Sequence, residues 1–186
     1  MIIFQTAQTQ TGSTLLVNML YGFMLPTLPI AYYGGRNCSV REEVDTPKMI
    51  NILKTHVDIG KLMNKHGGKH TVFFVCCERE DRVLPCRPRA CCNPIEKEYR
   101  DWDNVLIFDY SELLETETNS LENIIDGAYD KISNFLPEHI TLSKESCLNR
   151  INAMNARYEE IKDEPFTYID RFYELHGSHR GRKWPM

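Results

Sequence analysis

No apolar run in this chain of 186 residues is long enough to cross a bilayer, and no leader-like segment is visible, so the expectation is a cytoplasmic protein without a transmembrane segment. Strong positive charge is also missing. A formal net charge of -4 speaks against a protein that coats nucleic acid. No internal repeat is visible, and no histidine stands among the clustered cysteines Cys76, Cys77, Cys86, Cys91 and Cys92, whose adjacent pairs do not match a zinc knuckle. The cysteines are expected as free, partly buried thiols, with a disulfide or a metal as the alternatives. No metal site is assigned. What is present is ample core material: 42% hydrophobic and 26% charged residues fit one folded domain spanning 1–186.

Hydrophobic patterning predicts strands at Met1–Gln5, Met49–Lys54, Thr71–Cys76 and Val105–Phe108. Val72–Val75 is a continuous apolar run, as in a sheet covered on both faces. Helices are predicted at Ser13–Tyr21, with Leu15, Leu16, Met19 and Leu20 inward, and at Asp58–Lys65, stopped by Gly67–Gly68. A further helix is capped by Asp109 with Glu112, another by Asn119 with Glu122 and ending near Phe135. The last runs over Ser143–Ile161, with Leu148, Ile151, Tyr158 and Ile161 on one side. Residues 23–48, with Pro26 and Pro29, and 77–99, with Pro85, Pro88 and Pro94, read as irregular, and 176–186 as a basic C-terminal segment. Strands separated by helices predict a three-layer α/β/α fold around a mostly parallel central sheet.

Two short segments carry chemistry. Gln10-Thr11-Gly12-Ser13-Thr14 lies where the first strand turns into a helix. The opening amides of a helix are unpaired and sit at the positive end of its dipole, which suits an anion. A nucleoside-triphosphate loop would need a lysine before Ser13, and none is there. Ser13 and Thr14 would serve equally as helix caps. Lys54-Thr55-His56 closes the second strand with a cation, a hydroxyl and an imidazole. A histidine near neutral pKa can take a proton from a hydroxyl or amine while a lysine stabilises negative charge on a transferred group. A surface or structural role for the same triplet is the bland alternative.

These residues together resemble the sulfotransferases that use 3'-phosphoadenosine 5'-phosphosulfate (PAPS), whose fold is P-loop NTPase-like. Thr9-Gln10-Thr11-Gly12-Ser13-Thr14-Leu15-Leu16 is similar to the family's 5'-phosphate loop, with Gln10 where the family places a cation. Ile52-Leu53-Lys54-Thr55-His56 resembles its catalytic Lys-Thr-His segment. The resemblance implies His56 as the base, Lys54 on the moving sulfuryl group, and Gln10, Thr11, Gly12, Ser13 and Thr14 around the 5'-phosphate. For the 3'-phosphate it implies an arginine after the middle strand. Cys77 occupies that position, leaving Arg79 or Arg82 to supply the cation, with Arg180, Arg182 and Lys183 matching a basic C-terminal loop in altered order. Val105–Leu114 is similar to a later strand and helix start of the family.

Implied with it are PAPS as donor, 3'-phosphoadenosine 5'-phosphate (PAP) as product, and a small-molecule or glycan acceptor. Family domains are longer, so acceptor-binding segments are either lost or supplied by a partner subunit in a homo-oligomer. The alternatives are a divergent metal-dependent phosphotransferase and a catalytically idle nucleotide-binding or scaffold protein.

Overall fold

The computed structural model of the protein describes residues 1–7, 13–27, 30–33, 50–55, 58–78 and 95–161. Among these residues, five parallel strands form one sheet: β1 (Ile2–Ala7), β2 (Ile30–Tyr33), β3 (Ile50–Thr55), β4 (Val72–Glu78) and β5 (Val105–Asp109), in the order β2-β3-β1-β4-β5. The helices are α1 (Ser13–Met24), α2 (Ile59–His66), α3 (Lys97–Arg100), α4 (Leu121–Phe135) and α5 (Lys144–Ile161).

Side chains alternate across the pleat, so each strand feeds two cores. Ile3, Ile52, Val75 and Phe108 face α1, α4 and α5 in the larger one. Ile2, Phe4, Leu53, Phe74 and Val105 face Ile59 and Leu62 of α2 and Tyr99 of α3 in the smaller. Each fully buried phenylalanine, such as Phe4 or Phe74, contributes about 2–3 kcal/mol by leaving water. The three-layer α/β/α expectation holds, with every strand pair parallel.

Between Leu15 and Met24 every residue of α1 but the half-buried Tyr21 is buried, because α4 and α5 cover the side turned away from the sheet. It runs beyond the predicted Tyr21 to Met24, through Gly22. That glycine is a contact surface and not a stop: a Cβ there would stand 2.8 Å from Cα of Cys147 on α5. Ser143 N donates to Phe23 O at 2.8 Å, and Thr27 Oγ1 to Thr141 O at 2.7 Å, fixing the end of α1 against the start of α5.

Several other boundaries differ from the reading of the sequence. β1 and β4 each run two residues past their predicted ends, to Ala7 and Glu78. Residues 23–48 are not wholly irregular, since β2 adds an edge strand on β3. Nor are 77–99, where Cys77 and Glu78 belong to β4 and Lys97–Arg100 forms α3. Asp109 and Glu112 do form a capping box, but over a single 3-10 turn, Tyr110–Leu113.

The cap of α4 is Ser120, whose side chain accepts from Asn123 N. Asn119 donates instead to Leu114 O at 2.9 Å. On α5 the buried residues are Cys147, Ile151 and Met154, with Leu148 packed beside them. The Tyr158 and Ile161 side chains lie outside the described residues. Cys76, Cys77 and Cys147 are buried thiols, and the other four cysteines lie outside the described residues.

Candidate functional site at the carboxyl ends of β1 and β3

Strand order fixes where a ligand can sit. From β1 the chain passes through α1, on one face, towards the β2 edge. From β3 it passes through α2, on the opposite face, to β4 on the far side of β1. The connections leaving two adjacent strands therefore diverge from their carboxyl ends. This is the switch point at which parallel sheets bind ligands.

Both strands turn polar there. Gln5 of β1 is the register partner of Lys54 of β3, and Thr6 is the partner of Thr55. By alternation from Ile3 and Ile52, Gln5 and Lys54 lie on the face covered by α1. Thr6 and Thr55 lie on the face covered by α2. All four are buried, Gln5 at 0% and Lys54 at 7% exposure. A lysine so far withdrawn from water is costly unless acceptors or an anion meet its ammonium.

Gln5 has an unmet need of its own. Its Nε2 donates a long bond, 3.4 Å, to Thr6 O. Its Oε1 has no hydrogen-bond partner among the described residues. An orphaned buried acceptor of this kind costs about 1–3 kcal/mol.

Helix α1 opens at Ser13, the first described residue after β1, so its unpaired amides begin on the same side of the sheet edge. Of the residues predicted for the site, the structure thus places Lys54 beside β1, and Ser13 and Thr14 at the start of α1. Gln10, Thr11, Gly12, His56, Arg79, Arg82, Arg180, Arg182 and Lys183 lie outside the described residues. Cys77, where an arginine was expected, is wholly buried on the α1 side of β4.

One strand further on, Glu78 ends β4 as the register partner of Asp109. Its Oε2 accepts from Arg100 Nη2 at 2.7 Å and from Ile95 N at 3.4 Å. Neither Gln5 nor the Glu78–Arg100 pair was singled out from the sequence. The available signal was a polar residue directly after an apolar run: Gln5 after Ile3-Phe4, and Glu78 after Cys76-Cys77. Among the described residues no three His, Cys, Asp or Glu side chains converge as a metal site. No helix among them is long and apolar enough to cross a membrane.

No protein-family model matches the sequence, and no curated protein matches it. Among solved structures, mouse sulfotransferase SULT7A1, complexed with PAP, is similar. The match has a TM-score of 0.55 and 15% identity, over 88% of this chain and 67% of the mouse protein. At that identity what is shared is the fold. The chain has a sulfotransferase-like α/β fold with a parallel central sheet.

Proposed function

We propose that this protein transfers a sulfuryl group from PAPS to an acceptor hydroxyl or amine. The observation that carries the reading is the buried Lys54, set against β1 at the switch point of a sulfotransferase-like fold whose solved relative is complexed with PAP. In the proposed reaction the acceptor oxygen or nitrogen attacks sulfur in line. The bond from sulfur to the bridging phosphate oxygen breaks, and PAP leaves. His56 takes the acceptor proton.

Lys54 neutralises charge on the sulfuryl oxygens as it redistributes, an effect strongest where water is excluded. Thr11, Gly12, Ser13 and Thr14 hold the 5'-phosphate, with Gln10 donating a neutral hydrogen bond where a cation would otherwise stand. Arg79 or Arg82, with Arg180, Arg182 and Lys183, meet the 3'-phosphate. Holding nucleophile and leaving group on opposite sides of sulfur supplies much of the rate through lost positional entropy.

Titration calorimetry with PAP, PAPS and magnesium ATP tests the donor. PAP and PAPS should bind in preference to ATP, and transfer of labelled sulfate to a panel of phenols, amines and glycans should follow. Preference for magnesium ATP would replace this reading with metal-dependent phosphoryl transfer. One observation favours a second reading, a catalytically idle protein of the same fold: the position where the resemblance implies an arginine falls within β4 and is the fully buried Cys77, which has no charge to offer a phosphate. PAP binding with no transfer to any acceptor is the outcome that selects it.

A further inference from the structure

Charge is sorted along this chain in a way that its net value of -4 hides. Residues 59–77 hold three lysines, two histidines and no Asp or Glu. Residues 101–130 hold nine Asp and Glu and no Lys, Arg or His. The fold sends the helices of these two segments to opposite sides of the sheet. α2 covers one face, and α4 packs with α1 and α5 on the other.

On α2, Ile59, Leu62 and His66 turn inward, which leaves Lys61 and Lys65 exposed one turn apart. Lys69 follows, also exposed, in the turn where its amide donates to His66 O at 3.0 Å. None of the three ammonium groups has an ion pair among the described residues. The buried His66 feels this surplus: after burial itself, Lys65, His70 and Lys69 hold its pKa below the ordinary 6.5.

α4 repeats the spacing with the opposite sign. Ile124, Ile125, Ala128 and Ile132 face the core, and Glu122, Asp126 and Asp130 stand exposed four residues apart. Lys144 is one ammonium shared by two carboxylates, Asp126 at 2.7 Å and Asp130 at 3.7 Å. Glu122 has no ion pair among the described residues. Like charges four apart on a helix repel, so each row costs its own copy stability and gains when the other row faces it.

We propose that copies of this chain associate head to tail, the row Lys61, Lys65 and Lys69 of one copy lying on the row Glu122, Asp126 and Asp130 of the next. Because the rows sit on opposite faces of the sheet, the contact joins unlike surfaces and each addition leaves one row open. Association therefore does not stop at a dimer. It is weak, because exposed ion pairs are weak, and it is sensitive to salt. The proposal is independent of sulfuryl transfer.

Sedimentation velocity on the 186-residue chain, in about 20 mM and about 500 mM salt, reads the contact. Species larger than a monomer should form at low salt and dissolve at high salt. The triple variant Lys61→Gln, Lys65→Gln, Lys69→Gln removes one row, and Glu122→Gln, Asp126→Asn, Asp130→Asn removes the other. Each should weaken self-association about tenfold. Mixed one to one, the two variants should form a dimer and nothing larger, since one intact row of each sign remains. A damaged fold does not give that rescue. If the acidic variant fails to fold without its Lys144 pairs, Glu122→Lys, which breaks no ion pair among the described residues, should still reduce association of the otherwise unchanged chain. A chain that stays monomeric at low salt, or variants that do not pair when mixed, overturns the inference. Monomers that instead bind heparin through the three lysines would also overturn it, assigning the basic row to a polyanion.

Discussion

Arg100 donates through Nη2 to Glu78 Oε2 at 2.7 Å, carrying a guanidinium from α3 to the last residue of β4. The carboxylate side chain is only 6% exposed and the arginine 34%. Removing the cation would leave a buried negative charge that, among the described residues, keeps the long bond from Ile95 N. Arg100→Met should cost about 2 kcal/mol, less than a fully buried pair because water screens part of the arginine. Urea denaturation of Arg100→Met and of the double variant with Glu78→Gln checks this. The double variant should recover part of the loss.

Gly22 lets α1 and α5 approach as closely as their backbones allow. A methyl group there would meet Cys147 Cα at 2.8 Å and Arg150 Cδ at 3.3 Å. Gly22→Ala should therefore destabilise by about 1–2 kcal/mol, although alanine is the better helix former by about 1 kcal/mol. Because the obstructing atom is backbone, trimming the neighbour with Cys147→Ala should not restore the melting temperature. The same substitution should loosen the Arg150–Asn18 hydrogen bond, 2.9 Å, which spans the same two helices.

His66 gives the fold a defined acid sensitivity. The ring is buried against Phe4, with centroids 5.4 Å apart, and its Nε2 has no hydrogen-bond partner among the described residues. Burial, and then the charges of Lys65, His70 and Lys69, hold its pKa below the ordinary 6.5. The unfolded chain therefore takes up this proton at a higher pH than the folded one. The stability contribution is complete above pH 6.5 and is lost as pH falls through 6.5 towards the lowered folded value. Denaturation series at about pH 7.5 and pH 5.5 should show a smaller acid loss for His66→Phe than for the wild type.

If His56 is the base, His56→Ala should lower sulfuryl transfer by about 10²–10⁴-fold. PAP affinity should stay within about threefold, since the lost group faces the acceptor and not the phosphates. Steady-state turnover and calorimetry on the same preparation separate the two. Unchanged turnover would remove His56 from the mechanism.

Helices α4 and α5 were legible because their stops are chemical. Ser120, Pro137 and Ser143 bound α4 and α5, and both helices run within a residue of their expected limits. β2 was hidden because four residues between Pro29 and Gly34 give too short a pattern to distinguish from a loop. Asn119 and Ser120 are equally able caps in sequence. The choice between them was made by the turn that draws Asn119 Nδ2 to Leu114 O. Lys54 was singled out through its motif, and the structure buries it beside β1. Gln5 was not singled out, because an amide ending an apolar run looks like a strand terminus until its neighbour across the sheet is known.

The central place of β1 also governs how the protein must assemble. β1 leaves the ribosome ahead of both its partners, at residues 50–55 and 72–78, and its pairing is incomplete until both have emerged. Such non-local pairing slows folding and leaves an apolar segment, Ile2-Ile3-Phe4, open to aggregation in the meantime. Nascent chains stalled before residue 78 should therefore be the form that chaperones hold most tightly.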